Sequence, residues 1–378
     1  MSGSIYVHIP FCLKKCRYCD FYSAPYREEL VDAYVRSVCA EIEERAGVVG
    51  GLGLVTTVYV GGGTPSLLTA GQLEMILAKI HESFGIEPGA EITVEVNPGT
   101  VDLEKMRSYR RLGVNRVSLG VQSFFDDVLR QLGRLHDSQD TSNAFDACVR
   151  AGFENINIDL IYGVPGQDSA RWRVALNRAV ELKPQHVSAY LLQPEPQTPL
   201  GRLVAAGEVK MLPEEEEAFQ YEETIDILTK AGYRHYELSN FAQPGYECRH
   251  NLNYWQGGEY LGIGAGAVSF FNRRRYENLP DAGVYTERLS RSEAPLRTEL
   301  EQLDEEGIIR ERLVLGLRLI EGIDIKDLEE LLAPDFYRLF GSSVDRLEKL
   351  GLLEWRGSRL RLARRGYFLS NEVFRELL

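Results

Sequence analysis

The stretch Ile5-Tyr6-Val7-His8-Ile9-Pro10-Phe11-Cys12-Leu13-Lys14-Lys15-Cys16-Arg17-Tyr18-Cys19 begins as a short strand and ends in three cysteines spaced C-x3-C-x2-C. A zinc knuckle takes four nitrogen or sulfur ligands, and no fourth Cys or His is present within this loop. Disulfide frameworks belong to oxidising compartments. Three thiolates suit instead a [4Fe–4S] cluster with one iron left without a protein ligand. Such an iron can take the amino and carboxylate groups of S-adenosylmethionine. An electron from the cluster can then break the sulfonium S–C bond and give a 5′-deoxyadenosyl radical.

Outward from this stretch, strand, loop and helix alternate to about residue 230. Strands are expected near 5–10, 55–61, 91–97, 116–122, 155–161 and 186–192, and helices near 28–45, 69–84, 102–112, 138–151, 168–182 and 213–231. Thr69 and Asp102 read as N-caps, and Gly152 and Gly232 as stops. Consecutive βα units imply parallel strands and an open (β/α)6 partial barrel with ligands at the carboxyl ends of its strands. Parallel strands buried on both faces usually read as unbroken apolar runs, whereas these alternate. Tyr6 and His8, Thr57 and Tyr59, Thr93, Glu95 and Asn97, Ser118 and Gln122, Asn155, Asn157 and Asp159, and His186, Ser188 and Tyr190 fall on one face. Val7, Ile9, Val58, Val60, Val94, Leu119, Ile158 and their neighbours fall on the other. A period of two gives each set its own side of the sheet. The apolar set must meet the helices, so the polar set lines the lumen. Unpaired buried carboxylates are costly, so a lumen holding Glu95 and Asp159 reads as a polar ligand pocket.

The 378 residues carry a formal charge of −13 and 44% hydrophobic residues, enough apolar content for a real core. The acidic balance argues against a general nucleic-acid binder, which would present a basic patch, and does not favour anionic membranes. No signal peptide and no apolar run long enough to span a membrane are visible. A cytoplasmic protein with thiols and metal ligands is therefore expected. Cys39 and Cys148 read as packing.

The cysteine loop resembles the radical SAM signature, and the chain beyond it resembles the HemN/HemW branch of that superfamily. Gly61-Gly62-Gly63-Thr64-Pro65, Val94-Glu95-Val96-Asn97-Pro98, Ser118-Leu119-Gly120-Val121-Gln122-Ser123-Phe124, Leu132-Gly133-Arg134-Leu135-His136 and Asn157-Ile158-Asp159-Leu160-Ile161-Tyr162-Gly163-Val164-Pro165-Gly166 carry the likeness across nearly the whole chain. The resemblance implies that Cys12, Cys16 and Cys19 hold the cluster. It implies too that Tyr6, Tyr18, Gly62, Gly63, Thr64, Glu95, Gln122, Arg134 and Asp159 line the S-adenosylmethionine site. Arg134 can pair with the methionine carboxylate.

Cys248-Arg249-His250-Asn251-Leu252-Asn253-Tyr254-Trp255 contains HNxxYW, which resembles a signature of the same branch. A neutral imidazole can ligate haem iron, so His250 is a haem candidate, with Cys248 the runner-up. The competing reading makes His250 and Asn251 a polar clasp at the pocket rim, with Tyr254 and Trp255 in the core. Val268 stands in the glycine-rich run after this motif, where the branch often carries His.

From about residue 292 the pattern changes to short helices, with a hairpin of Leu352–Trp355 and Arg359–Leu362 turning at Gly357-Ser358. The expected divisions are 1–235 for the barrel, 236–291 for a pocket-closing segment and 292–378 for a mostly helical C-terminal domain with a small β-wing. Arg359, Arg361, Arg364 and Arg365 are its basic cluster. A lid or docking role fits such a chain better than DNA binding.

Two functions compete within the resemblance. One is a haem chaperone, whose partners would be haem and haem-accepting respiratory proteins; it leaves room for transient contact with a membrane protein and for a dimer. The other is an oxygen-independent coproporphyrinogen III oxidase or another radical enzyme of the branch. The oxidase carries a fourth cysteine two positions after the third; here that position is Phe21. That departure, with HNxxYW, favours the chaperone.

Overall fold

The computed structural model describes residues 3–48, 52–332 and 336–378. Six parallel strands follow one another across the centre of one sheet: β1 (Gly3–Ile9), β2 (Val55–Gly62), β3 (Ile86–Val96), β4 (Arg116–Gln122), β5 (Ile156–Tyr162) and β6 (His186–Leu191). The register of each pair is parallel throughout, as in Val58↔Ile92 and Ile158↔Val187. The helices between them lie near the expected spans. Thr69 caps Ala70–Phe84 with a reciprocal capping box, and the Asp102 side chain accepts from the Lys105 amide. Gly152 and Gly232 come just after their helices in the left-handed region, at φ 88° and 94°.

The two faces divide as the alternation implies. Val7, Val58, Val94, Leu119, Ile158 and Val187 are buried in one core against the helices. The polar set turns to the lumen and is stitched there by hydrogen bonds.

Among the described residues the sheet has nine strands, not six. β7 (Arg234–Glu237), β8 (Asn240–Ala242) and β9 (Leu261–Ile263) all come from the segment after the barrel. β8 runs antiparallel to β6, and β7 pairs with β8 on that flank. β9 runs parallel to β1 on the opposite flank. The segment expected to close the pocket therefore extends both margins of the barrel, and β7 runs across the expected 235/236 boundary. Val268–Phe271, Arg274–Asn278 and Arg297–Gln302 make a separate antiparallel sheet. Its last strand, expected in the C-terminal part, joins this middle segment instead. Val268 sits on the first of these strands, against the Gly262 backbone.

The C-terminal domain has its own core, including Leu313, Phe336, Phe340, Leu360 and Val373. The hairpin forms at the expected turn, and Ile323–Asp324 adds a third strand to the wing. A backbone bridge between Glu237 and Leu319 joins this domain to the β7 margin. The four arginines of the basic cluster are all engaged within the chain. Arg361 pairs with Glu354, Arg364 with Glu222 and Asp226, Arg359 donates to the carbonyls of Glu321 and Gly322, and Arg365 to that of Leu350. Carboxylates thus offset the charge of Arg361 and Arg364, two of the four.

Candidate functional site

The loop carrying the cysteines is fixed at several points along the strand ends. Phe11–Cys12 pairs in parallel with Ala24–Pro25. The Arg17 amide donates to the Leu132 carbonyl at 3.0 Å, and the Leu200 amide donates to the Arg17 carbonyl at 2.9 Å. Cys12, Cys16 and Cys19 all line one cavity of about 530 Å³ at the carboxyl ends of the strands. Tyr18, Gly62, Gly63, Thr64, Glu95, Gln122, Arg134 and Asp159 line the same cavity. Of the expected site residues, Tyr6 is the exception. It lies deeper, its hydroxyl 3.0 Å from His8 Nδ1 and its ring stacked on Tyr59.

One network ties the cysteine loop to the cavity wall. The Thr64 hydroxyl donates to Cys12 Sγ at 3.7 Å and accepts from Asn97 Nδ2 at 3.0 Å. The Arg134 guanidinium donates to Cys16 Sγ at 3.5 Å, to the Gly120 carbonyl at 3.0 Å and to Asn97 Oδ1. Two conformations serve this wall. Gly62 stands at φ 114°, and a Cβ there would meet the His8 ring at 2.6 Å. Its amide donates to Glu95 Oε2 at 3.1 Å. Gln122 is a non-glycine residue at φ 64°, an uncommon conformation that concentrates at functional sites.

Glu95 and Asp159 both face the cavity. The Tyr59 hydroxyl donates to Glu95 at 2.9 Å. Ser118 donates to Asp159 at 3.0 Å and Asn157 at 2.8 Å. Burial, then the neighbouring Asp159, pushes Glu95 up to about 7, and burial raises Asp159 also. Two carboxyls held this way favour a ligand that brings positive charge or hydroxyl donors. Asn97, Ser118, Gly120, Tyr190, Leu192 and Gln193 also line the wall. The alternation put Asn97, Ser118 and Tyr190 on the lumen face, whereas Leu192 and Gln193 stood outside the polar set it marked.

The HNxxYW helix, Arg249–Trp255, lies at the opposite end of the strands. It is held by Glu91, whose carboxylate accepts from the amides of Arg249 and His250, both at 3.1 Å, and from the Cys248 thiol at 3.5 Å. His250 is 1% exposed. Its Nδ1 is 2.8 Å from the Thr57 hydroxyl, its Nε2 is 2.8 Å from the Tyr254 hydroxyl, and its ring stacks on Tyr59. Burial, then Arg116, lowers it to about 3, so the ring is neutral. Cys248 is fully buried, and burial raises its thiol to about 12. Neither haem candidate presents a free lone pair to a surface or to the cavity, and neither stands at the rim, where the clasp reading put His250. Arg116 lies in this same buried end, with Nε unpartnered among the described residues; an arginine opening a strand gave no hint of it.

Residues 6–179 match the radical SAM superfamily, and residues 303–369 match the HemN C-terminal domain. The chain is 37% identical to the heme chaperone HemW of Lactococcus lactis over 376 residues, covering 100% of this chain and 97% of that one. It is 35% identical to the heme chaperone HemW of Bacillus subtilis over 374 residues, 98% of each chain. The chain belongs to the HemW family of radical SAM proteins. Among solved structures, this HemW-family chain resembles coproporphyrinogen III oxidase HemN from Escherichia coli, a radical SAM enzyme. The TM-score is 0.85 at 26% identity, covering 99% of this chain and 89% of that one. Identity to the HemW relatives is the higher, so the oxidase alternative gains nothing from the comparison.

Radical SAM membership implies a [4Fe–4S] cluster and S-adenosylmethionine, and the residues present fit both. Among the described residues no three ligand side chains converge as they would on a single ion; a cube of irons needs its thiolates spread around it. Burial raises Cys12, and raises Cys19 to about 11. Thiolates therefore form there when a metal displaces the protons. For the sulfonium ligand, the space beside Gly120 matters. A Cβ at that position would meet Asn97 Oδ1 and Gln122 Nε2 at 3.1 Å and Arg134 Nη2 at 3.3 Å. Glycine thus keeps open a pocket bordered by three polar side chains.

Proposed function

We propose that this chain is a haem chaperone: it binds haem and passes it to acceptor proteins, while a [4Fe–4S] cluster and S-adenosylmethionine occupy the open end of the barrel. The observation that carries the reading is the near full-length identity to proteins named heme chaperone HemW. Phe21 supports it, standing at the cavity mouth where the oxidase resemblance calls for a further cysteine.

Within this reading Cys12, Cys16 and Cys19 hold the cluster, which when bound supplies single electrons to the sulfonium ligand. Arg134 takes the methionine carboxylate, with Gln122 and Thr64 beside it. Glu95 and Asp159 accept from the ammonium group or the ribose hydroxyls. Tyr18 packs on the ligand from the cysteine loop, and Gly62 and Gly63 let the backbone approach it. Tyr6 supports Tyr59 from below.

The test is anaerobic titration of the reconstituted chain with haemin, alongside an assay for coproporphyrinogen decarboxylation. Saturable haemin binding without decarboxylation is expected. Turnover to protoporphyrinogen would reverse the assignment in favour of the oxidase.

A further inference from the structure

A haem carrier needs a surface for a flat apolar ring and a place for two carboxylates. At the HNxxYW helix the two candidate iron ligands, His250 and Cys248, are sealed and hydrogen-bonded. On the outer side of the helix, Tyr254, Trp255, Tyr260 and Phe270 wall a cavity of about 230 Å³. The guanidinium there, Arg275, is already paired with Glu301 and Glu311, so a propionate entering would meet a spent cation and the Glu311 carboxylate.

The cluster end is the reverse. Phe21 is 64% exposed and Tyr190 41%, and both line the mouth of the large cavity with Leu192. Apolar area left open at the rim of a pocket marks a binding surface, and aromatic faces suit a conjugated ring. Lys14 and Lys15 line the same mouth. Among the described residues Lys14 makes no hydrogen bond or ion pair. Lys15 donates to the Phe21 carbonyl at 2.9 Å, which holds that residue at the mouth. Asp20 and Glu195 line this cavity too, so the two lysines stand among mixed charges there. Beside exposed rings the lysines fit a flat apolar body with anionic edges. A rim also suits cargo that must leave, as a sealed axial ligand would not.

We infer that haem rests at the cluster end of the barrel, its ring against Phe21 and Tyr190 and its propionates on Lys14 and Lys15. The inference depends on the haem-chaperone reading and adds to it where the cargo sits.

The test uses the full chain, anaerobically reconstituted and loaded with S-adenosylmethionine. The probes are haemin, metal-free protoporphyrin IX and protoporphyrin IX dimethyl ester. Haemin and protoporphyrin IX bind, and the ester binds roughly tenfold more weakly because it lacks the charges for Lys14 and Lys15. The Lys14→Glu/Lys15→Glu double variant and Phe21→Ala each weaken haemin roughly tenfold, with iron content and melting temperature at the wild-type level. Tyr260→Ala keeps wild-type haemin affinity. Unchanged affinity in the two mouth variants overturns the inference, and loss in Tyr260→Ala would move the haem to the groove. Slower cluster reduction by an acidic one-electron carrier protein, with haemin affinity unchanged, would assign the rim to a redox partner and overturn it likewise. If the wild-type chain binds no haemin, the chaperone reading itself falls.

Discussion

The two ends of the barrel are built from the same strands and obey opposite rules. At the closed end, Glu91, His186, His250 and Cys248 are buried and hydrogen-bonded to protein. His186 alone spans Asn157 at 2.6 Å and the Tyr236 hydroxyl at 2.9 Å. At the open end, Leu13 and Phe21 stand in solvent, Lys14 lacks a partner among the described residues, and raised carboxyls face a cavity of about 530 Å³. Satisfied polar groups in a dry setting contribute to stability and specificity of fold. Polar groups that face a cavity stay open to ligands even where, like Glu95 and Asp159, they already accept protein hydrogen bonds. Residue types alone mark both ends, three cysteines at the open one and a histidine with a cysteine at the closed one.

Changes at the open end should therefore alter binding, and changes at the closed end should alter stability. The largest effect is expected from Cys16→Ala. It removes the iron and the brown absorbance after anaerobic reconstitution, while the melting temperature of the metal-free chain moves by less than about 2 °C. A full iron complement in this variant would break the cluster assignment.

Next comes Glu95→Gln, with S-adenosylmethionine affinity reduced roughly tenfold at pH 8. The pH dependence sharpens the test. Glu95 titrates at about 7, so wild-type affinity for a cationic ligand rises between pH 6 and 8 as the carboxylate forms. The variant should lose that rise; a rise that persists would transfer it to Asp159. The stability trend runs the other way. The folded chain keeps this proton from the ordinary glutamate value of 4.5 up to about 7, while the unfolded chain releases it. Stability contributed by this group thus falls as pH climbs through that window, and Glu95→Gln should melt higher than wild type at pH 8.

Glu91→Ala tests the closed end. It strips the carboxylate from two helix amides and a thiol, and should cost about 2–3 kcal/mol in urea unfolding, with cluster assembly intact. The smallest effect is expected from Leu13→Ser, an exposed side chain beside the cysteines, which should shift stability by less than about 0.5 kcal/mol. A large loss of stability there would blur the division between the ends.

Much of the barrel could be read beforehand because its signals are local. A period of two told lumen from core, and caps such as Thr69 and Asp102 need only neighbouring residues. The three added strands escaped because each is only three or four residues long and takes its identity from a partner far along the chain. Depth escaped too. Alternation placed Tyr6, Tyr59 and Glu95 on one face but could not say which of them reaches the cavity. His250 shows a third limit. Its residue type and motif argue for a ligand, whereas two hydrogen bonds and a ring stack, visible only in three dimensions, employ it as a brace.

One contiguous piece of chain, from Arg234 to Ile263, supplies strands to both lateral margins of the central sheet. A fragment stopping after Lys230 would therefore be raw along both sides at once, and raw strand edges recruit other chains. The barrel is not a cassette that can be lifted out at the end of its sixth βα unit. Any excised version that stays dispersed must carry the polypeptide at least through Ile263.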